Sequence, residues 1–226
     1  MLDNILENIT LGKKGIEIGG PSSTCRNIYN SSEIMDNVIF SKETIWSSHD
    51  DGNYYYVNRK NKIGKVIIND AVNITNIENK KYDFVFSSHC LEHIANPIKA
   101  LNEWLRIIKD DGYIILILPE KSTCFDHRRS ISSFSTLLSQ FHKNVGEDDL
   151  STLPEIIKNH DLSLDTAAGD IENFTRRSLD NYNNRCLHHY VYSPELLNEI
   201  CDYLKCHFVY TFTDRADIWF IMKKSC

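Results

Sequence analysis

The chain has 226 residues, of which 42% are hydrophobic and 25% charged, with a formal charge of −6 and an isoelectric point near 5.8. Such a length suits a single α/β domain, residues 1–226, carrying an insertion, and the acidic balance leaves no electrostatic footprint for nucleic acid. The apolar runs are strand-sized, which excludes a membrane span, and residues 1–10 lack the basic start and apolar block of a signal peptide. A cytoplasmic protein with a small-molecule or neutral-polymer partner is the expectation; oligomeric state is left open. Seven cysteines (Cys25, Cys90, Cys124, Cys186, Cys201, Cys206 and Cys226) are scattered without a CxxC pair, the pattern of reduced thiols.

In chain order, residues 14–23 alternate and end in glycine, as a first strand does on entering a tight loop. Gly19 and Gly20 let the backbone approach a ligand that a Cβ would block. A second strand is predicted around residues 37–40 and a third at Val66, Ile67 and Ile68, ending at Asn69, Asp70 and Ala71. Phe84, Val85 and Phe86 form a buried strand, and residues 113–118 form another. Between these two lies a helix opened by Pro97, with Ile98, Leu101, Leu105 and Ile108 on one stripe and Trp104 alongside, and Asp110, Asp111 and Gly112 supply a turn. Alternating strands and helices predict an open parallel sheet, whose ligands sit beyond the carboxyl ends of the strands where strand order reverses. Gly19, Gly20, Pro21 and Ser22 break the GxGxxG spacing of a dinucleotide site, and no phosphate-cradling GxxxxGKS/T loop is present. The expected cofactor therefore lacks a diphosphate, and NAD should not bind.

Three groups of residues together resemble the class I S-adenosylmethionine-dependent methyltransferases, over roughly residues 13–119 and the C-terminal elements. Glu17-Ile18-Gly19 followed by Gly20 resembles their first motif, Asp70 their acid after the third strand, and Tyr82-Asp83-Phe84-Val85 with Leu91-Glu92-His93 their fourth strand and its loop. The resemblance implies a Rossmann-like fold, a mostly parallel seven-stranded sheet with helices on both faces, and S-adenosylmethionine as cofactor. By the same resemblance Gly19 and Gly20, flanked by Pro21 and Ser22, pass under the methionine portion, Glu17 orients the loop, Asp70 accepts from the adenine amino group, Ala71 packs on the ring, and Ser88, His89 and Cys90 offer groups near the sulfonium. The second strand lacks the acid the family places after it, leaving Ser41 or Glu43 for the ribose hydroxyls. At Asp70 the alternative is a turn cap, and at Glu92 and His93 simple satisfaction of loop backbone groups.

Residues 120–192 are too long for a plain connection and are expected to cap the crevice as a functional insertion. Phe134, Leu137, Leu138 and Phe141 predict one helix, and Leu153, Ile156 and Ile157 a shorter one; Ser193 and Pro194 open a helix carrying Leu197, Ile200, Cys201 and Leu204. Strands around residues 207–213 and 218–222 close the chain. Methyl transfer from a sulfonium needs alignment and exclusion of water, and a hydroxyl acceptor also needs a base. His127 and His189 are the candidate bases, with Asp126 as orienter or alternative. Arg128, Arg129, Asn184, Arg185 and His188 are candidates for holding a sugar or an activated sugar's diphosphate; the competing role for all of these is stitching the cap together. Glu147, Asp148 and Asp149 are expected to start the following helix. Cys186, His188 and His189 lack a partner to complete a tetrahedral set, so no metal site is expected. The run FDHRR, VGEDDL, NHDL and NRCLHHYVY resembles methyltransferase type 11-like proteins associated with glycan biosynthesis, which implies O-methylation of a nucleotide-activated sugar or glycan residue. The alternatives are N-methylation of an amino sugar or other small molecule, and a non-catalytic binding protein of this fold.

Overall fold

The computed structural model describes residues 1–22, 25–44, 54–56 and 63–226; residue 23 of the predicted first loop lies outside them. Eight strands form one sheet: β1 (Lys14–Ile18), β2 (Ile34–Ile39), β3 (Tyr54–Tyr56), β4 (Ile63–Ile68), β5 (Tyr82–Ser88), β6 (Ile108–Pro119), β7 (His207–Thr213) and β8 (Asp217–Lys223), in the order β3-β4-β2-β1-β5-β6-β8-β7. Pairings among β4, β2, β1, β5 and β6 are parallel, while β8 enters antiparallel to both β6 and β7. This is the expected mostly parallel seven-stranded sheet, extended by the short antiparallel edge strand β3. Order reverses between β1 and β5, so the crevice opens beyond Ile18 and Ser88.

Helices cover both faces because both faces of the central strands are apolar. α1 (Leu2–Thr10) and α2 (Arg26–Ser31) pack Leu6, Ile9 and Ile28 against Phe84, Phe86 and Ile115. On the opposite face α3 (Pro97–Ile107) and α8 (Pro194–Tyr203) lay Ile98, Leu101, Trp104, Leu197 and Ile200 over Ile16, Val85 and Ile114. Side chains of this kind, fully buried, contribute roughly 1.5–3 kcal/mol each. The Asn96 carboxamide caps α3 by accepting from the Lys99 N–H at 3.2 Å, and the Ser193 hydroxyl caps α8 by accepting from the Leu196 N–H at 3.3 Å. Trp104 is wholly buried, yet its indole N–H reaches the Ala71 carbonyl at 3.0 Å, fixing α3 to the loop after β4.

The predicted turn at Asp110, Asp111 and Gly112 takes a different form. β6 runs through it as an irregularity: Tyr82 pairs with Ile108 and Phe84 with Tyr113, so the intervening residues bulge outward, with Asp111 at φ 63°. The insertion carries α4 (Phe134–Lys143) and α5 (Leu153–Asn159) as expected, then α6 (Ile171–Leu179) and α7 (Asn181–Asn184). It has a small core of its own in Leu153, Ile156, Ala168, Phe174 and Leu187. No helix among the described residues is long and apolar enough to cross a membrane.

Candidate active site at the carboxyl edge of the sheet

A cavity of 280 Å³ lies beyond the ends of the central strands. Ile18, Gly19 and Gly20 line it from β1, Val38, Ile39 and Phe40 from β2, Asn69, Asp70 and Ala71 from β4, and His89, Cys90, His93 and Ile94 from β5. Its size sits at the lower end of small-molecule sites, roughly 300–1,000 Å³. Two glycines shape its floor. Gly19 has φ 88°, and a Cβ there would fall 2.6 Å from the Cys90 sulfur; a Cβ on Gly20 would fall 2.0 Å from Cδ of Glu17. The loop is held from below by Glu17, fully buried, whose carboxylate accepts the Ser22 N–H at 3.0 Å and the Ser22 hydroxyl at 2.5 Å. Burial pushes the Glu17 carboxyl up to about 7, against the Ser22 hydrogen bonds that favour its charge. Buried Asn37 on β2 donates to the Gly20 carbonyl at 2.6 Å, a contact that joins two strand ends under the cavity.

The insertion closes the opposite side through Glu147 and Arg185. Asp70 presents one carboxylate oxygen to the Val72 N–H at 3.0 Å and the other to Arg185 Nη2 at 3.3 Å. Arg185 Nη1 lies 3.4 Å from Glu147, and its guanidinium sits 5.3 Å from the Phe40 ring centroid and 5.6 Å from that of Tyr182. Glu147 also accepts the Ala95 N–H at 2.9 Å and has His189 Nε2 at 3.3 Å. Behind this wall is a buried polar layer: His188 Nδ1 meets Asp126 at 2.6 Å, and Arg129 bonds Asp126, the His188 carbonyl and the His189 carbonyl at 3.1, 2.7 and 3.3 Å. Burial disfavours charge on His188, but its hydrogen bonds to Asp126 and Cys124 and the nearby carboxylates outweigh that and favour the imidazolium. Glu92 and His93 are driven the other way by burial, the acid upward and the imidazole downward.

Comparison with known proteins agrees with this geometry. The methyltransferase domain family matches residues 49–116. Among solved structures, S-adenosylmethionine-dependent methyltransferases are similar in fold. That from Methanosarcina mazei superposes with a TM-score of 0.55 at 13% identity, covering 98% of this chain and 97% of that one. That from Mesorhizobium loti gives 0.55 at 7%, covering 99% and 96%. That from Aquifex aeolicus gives 0.53 at 11%, covering 98% and 88%. The chain has the fold of the class I methyltransferases, and its residues 49–116 match their methyltransferase domain. No curated protein matches its sequence.

S-adenosylmethionine is the cofactor of this class of methyltransferase, and the cavity fits it: a floor on which any Cβ would collide, apolar strand ends, and a carboxylate beyond β4 held in place by backbone and guanidinium. Once bound, it supplies an electrophilic methyl group on a sulfonium. Of the residues singled out in the sequence, Gly19, Gly20, Asp70, Ala71, His89, Cys90 and Arg185 line the cavity, and Glu17, Pro21 and Ser22 form the loop beneath. His89, at φ 49°, turns its ring to Asp217 at 3.0 Å, and Ser88 is buried beside it.

The other residues singled out in the sequence lie elsewhere. His127 and Arg128 share Asp161, at 2.9 and 2.7 Å, and His127 borders a separate cavity of 300 Å³ beside Glu120 and Tyr192. Asp126, Arg129 and His188 belong to the buried layer, and Asn184 is engaged with the Arg177 carbonyl and the Cys186 N–H. Glu147 does not start the helix after it, since α5 begins six residues later at Leu153; it turns inward instead. Ser41 and Glu43 do not line the cavity among its described residues, whereas Phe40 and Thr44 do. Sequence reasoning missed Phe40 and Glu147, because an apolar strand end and one acid in a polar loop carry no distinguishing pattern.

Proposed function

We propose that the chain transfers a methyl group from S-adenosylmethionine to a hydroxyl of a sugar, either nucleotide-activated or within a glycan. The observation that carries this reading is the charged wall facing the cofactor floor. Arg185 donates, Glu147 accepts, and both are fixed by ion pairs, which suits an acceptor rich in hydroxyls. Glu147, backed by His189 at 3.3 Å, is the group placed to take the hydroxyl proton. His189 is oriented in turn by Asn181 at 3.1 Å and by its own N–H, which donates to the Glu92 carbonyl at 2.8 Å. The insertion lines one side of the cavity through Glu147 and Arg185, and Asp126 with Arg129 positions the backbone that carries both histidines. His127 lies on the second cavity, where it can reach only an extended acceptor, and Arg128 is paired with Asp161.

The test is methyl transfer from labelled S-adenosylmethionine to a panel of free sugars, nucleotide sugars and amino sugars. Glu147→Gln and His189→Ala should each lower turnover on the best hydroxyl acceptor about 10²-fold or more while S-adenosylhomocysteine affinity holds. Near wild-type turnover in both variants, or methylation confined to amines, would overturn the reading.

A further inference from the structure

We propose that Glu92, His93 and His188 form a three-ligand site for a divalent transition metal in the wall of the cofactor cavity. One ligand atom from each of the three lies within 4.8 Å of the others. The strongest sign is Glu92, which is 0% exposed and whose carboxylate oxygens meet no hydrogen-bond donor from another described residue. Its nearest basic neighbour is His89 Nδ1 at 3.7 Å. A buried carboxyl left in this state costs several kcal/mol unless a cation or donor compensates it.

The two imidazoles are arranged as metal ligands are. His188 presents Nδ1 to Asp126 at 2.6 Å, and Asp126 is itself held by Arg129, so the ring's tautomer and direction are set from behind. His93 is hydrogen-bonded to the Leu187 backbone, the same orienting device. The His93 and His188 rings meet edge to face at 4.5 Å between centroids. Glu92 and Asp126 flank His188 with two carboxyl groups, the surroundings in which a bound cation takes the place of the imidazolium proton. A second group, Cys124, Asp126 and His188, also lies within 4.8 Å, but there Asp126 is already occupied by His188 and Arg129.

Two histidines and one carboxylate are the donor set of open, catalytic zinc and of non-haem iron sites, so the ion expected is Zn²⁺, Fe²⁺, Co²⁺ or Mn²⁺ rather than Mg²⁺ or Ca²⁺. Three protein ligands leave positions to fill, and His93 is part of the cavity wall. The ligand to be taken there is an oxygen of the acceptor, a hydroxyl or one of a vicinal pair; this last step rests on the hydroxyl acceptor proposed above. Coordination would make such a hydroxyl more acidic, as it does for metal-bound water.

The experiment uses the full chain, stripped with chelator and titrated with Co²⁺, following visible absorption and bound metal after desalting, with S-adenosylhomocysteine calorimetry on the same sample. One ion per chain is expected. Affinity should fall at least 10-fold in Glu92→Gln, an isosteric neutral change checked for folding by circular dichroism, and about 10- to 100-fold in Asp126→Asn. His142→Ala, on the exposed face of α4, should change nothing. No uptake by the folded chain at about 100-fold excess of Co²⁺ would overturn the site. Equal uptake by Glu92→Gln, or loss in Cys124→Ser with retention in Glu92→Gln, would overturn it too. S-adenosylhomocysteine binding without metal uptake defeats the metal site alone, and metal uptake without it upholds the site while counting against the transfer reading.

Discussion

Gly20→Ala tests how the first loop is built. The new methyl would stand 2.0 Å from Glu17 Cδ and 2.2 and 2.4 Å from its two oxygens, well inside contact distance. Glu17 cannot simply swing aside, because it is fully buried and its oxygens are engaged by the Ser22 N–H and hydroxyl. Overpacking of this kind costs about 1–3 kcal/mol. Shortening the obstacle should relieve it, so the substitution is made in both the wild type and a Glu17→Ala background and each chain is unfolded in urea. The account predicts a cost of about 2 kcal/mol in the wild type and a coupling energy of about 1–3 kcal/mol in the cycle. An equal cost in the two backgrounds would refute the claim that the Glu17 carboxylate is what excludes a side chain at position 20.

The pH dependence of stability carries a second prediction. Glu17 holds its proton up to about 7 in the folded chain, against an ordinary value of 4.5, so the stability linked to this group is full below 4.5 and is lost as pH rises to 7. That loss is about 3 kcal/mol at 1.36 kcal/mol per unit, and Glu17→Gln should remove this slope from urea midpoints measured across the window; an unchanged slope would contradict it. Arg129→Ala leaves Asp126 and two backbone carbonyls without their buried partner, and should cost about 3–5 kcal/mol in the same assay. A loss below about 1 kcal/mol, the level of a surface pair, would show that the buried layer is not held by this clamp.

Most of the sheet was legible because its strands are buried on both faces and read as apolar runs, and because Pro97, Ser193 and Pro194 mark helix starts by chemistry that acts within a few residues. The bulge in β6 was not, since Asp110, Asp111 and Gly112 suit either a turn or a looped-out segment, and pairing with β5 decides between them. At the site, the glycines and Asp70 were readable from position relative to a strand end. The insertion resisted the same treatment. His127, Arg128, Arg129 and His188 look alike in sequence as titratable groups, and only packing separates Arg129, buried against backbone carbonyls, from Arg185, which faces the cavity. Likewise nothing local distinguishes Glu147, turned inward to Ala95 and His189, from its exposed neighbour Asp148.

Calorimetric titration of the full chain with S-adenosylhomocysteine tests the central claim most directly. The account predicts one molecule bound per chain, with affinity lowered about 10-fold by Asp70→Ala, the loss of one good hydrogen bond, and no heat with NAD. A folded chain that binds no S-adenosylhomocysteine, or binds it equally well after Asp70→Ala and Gly20→Ala, would contradict the placement of the cofactor in this cavity.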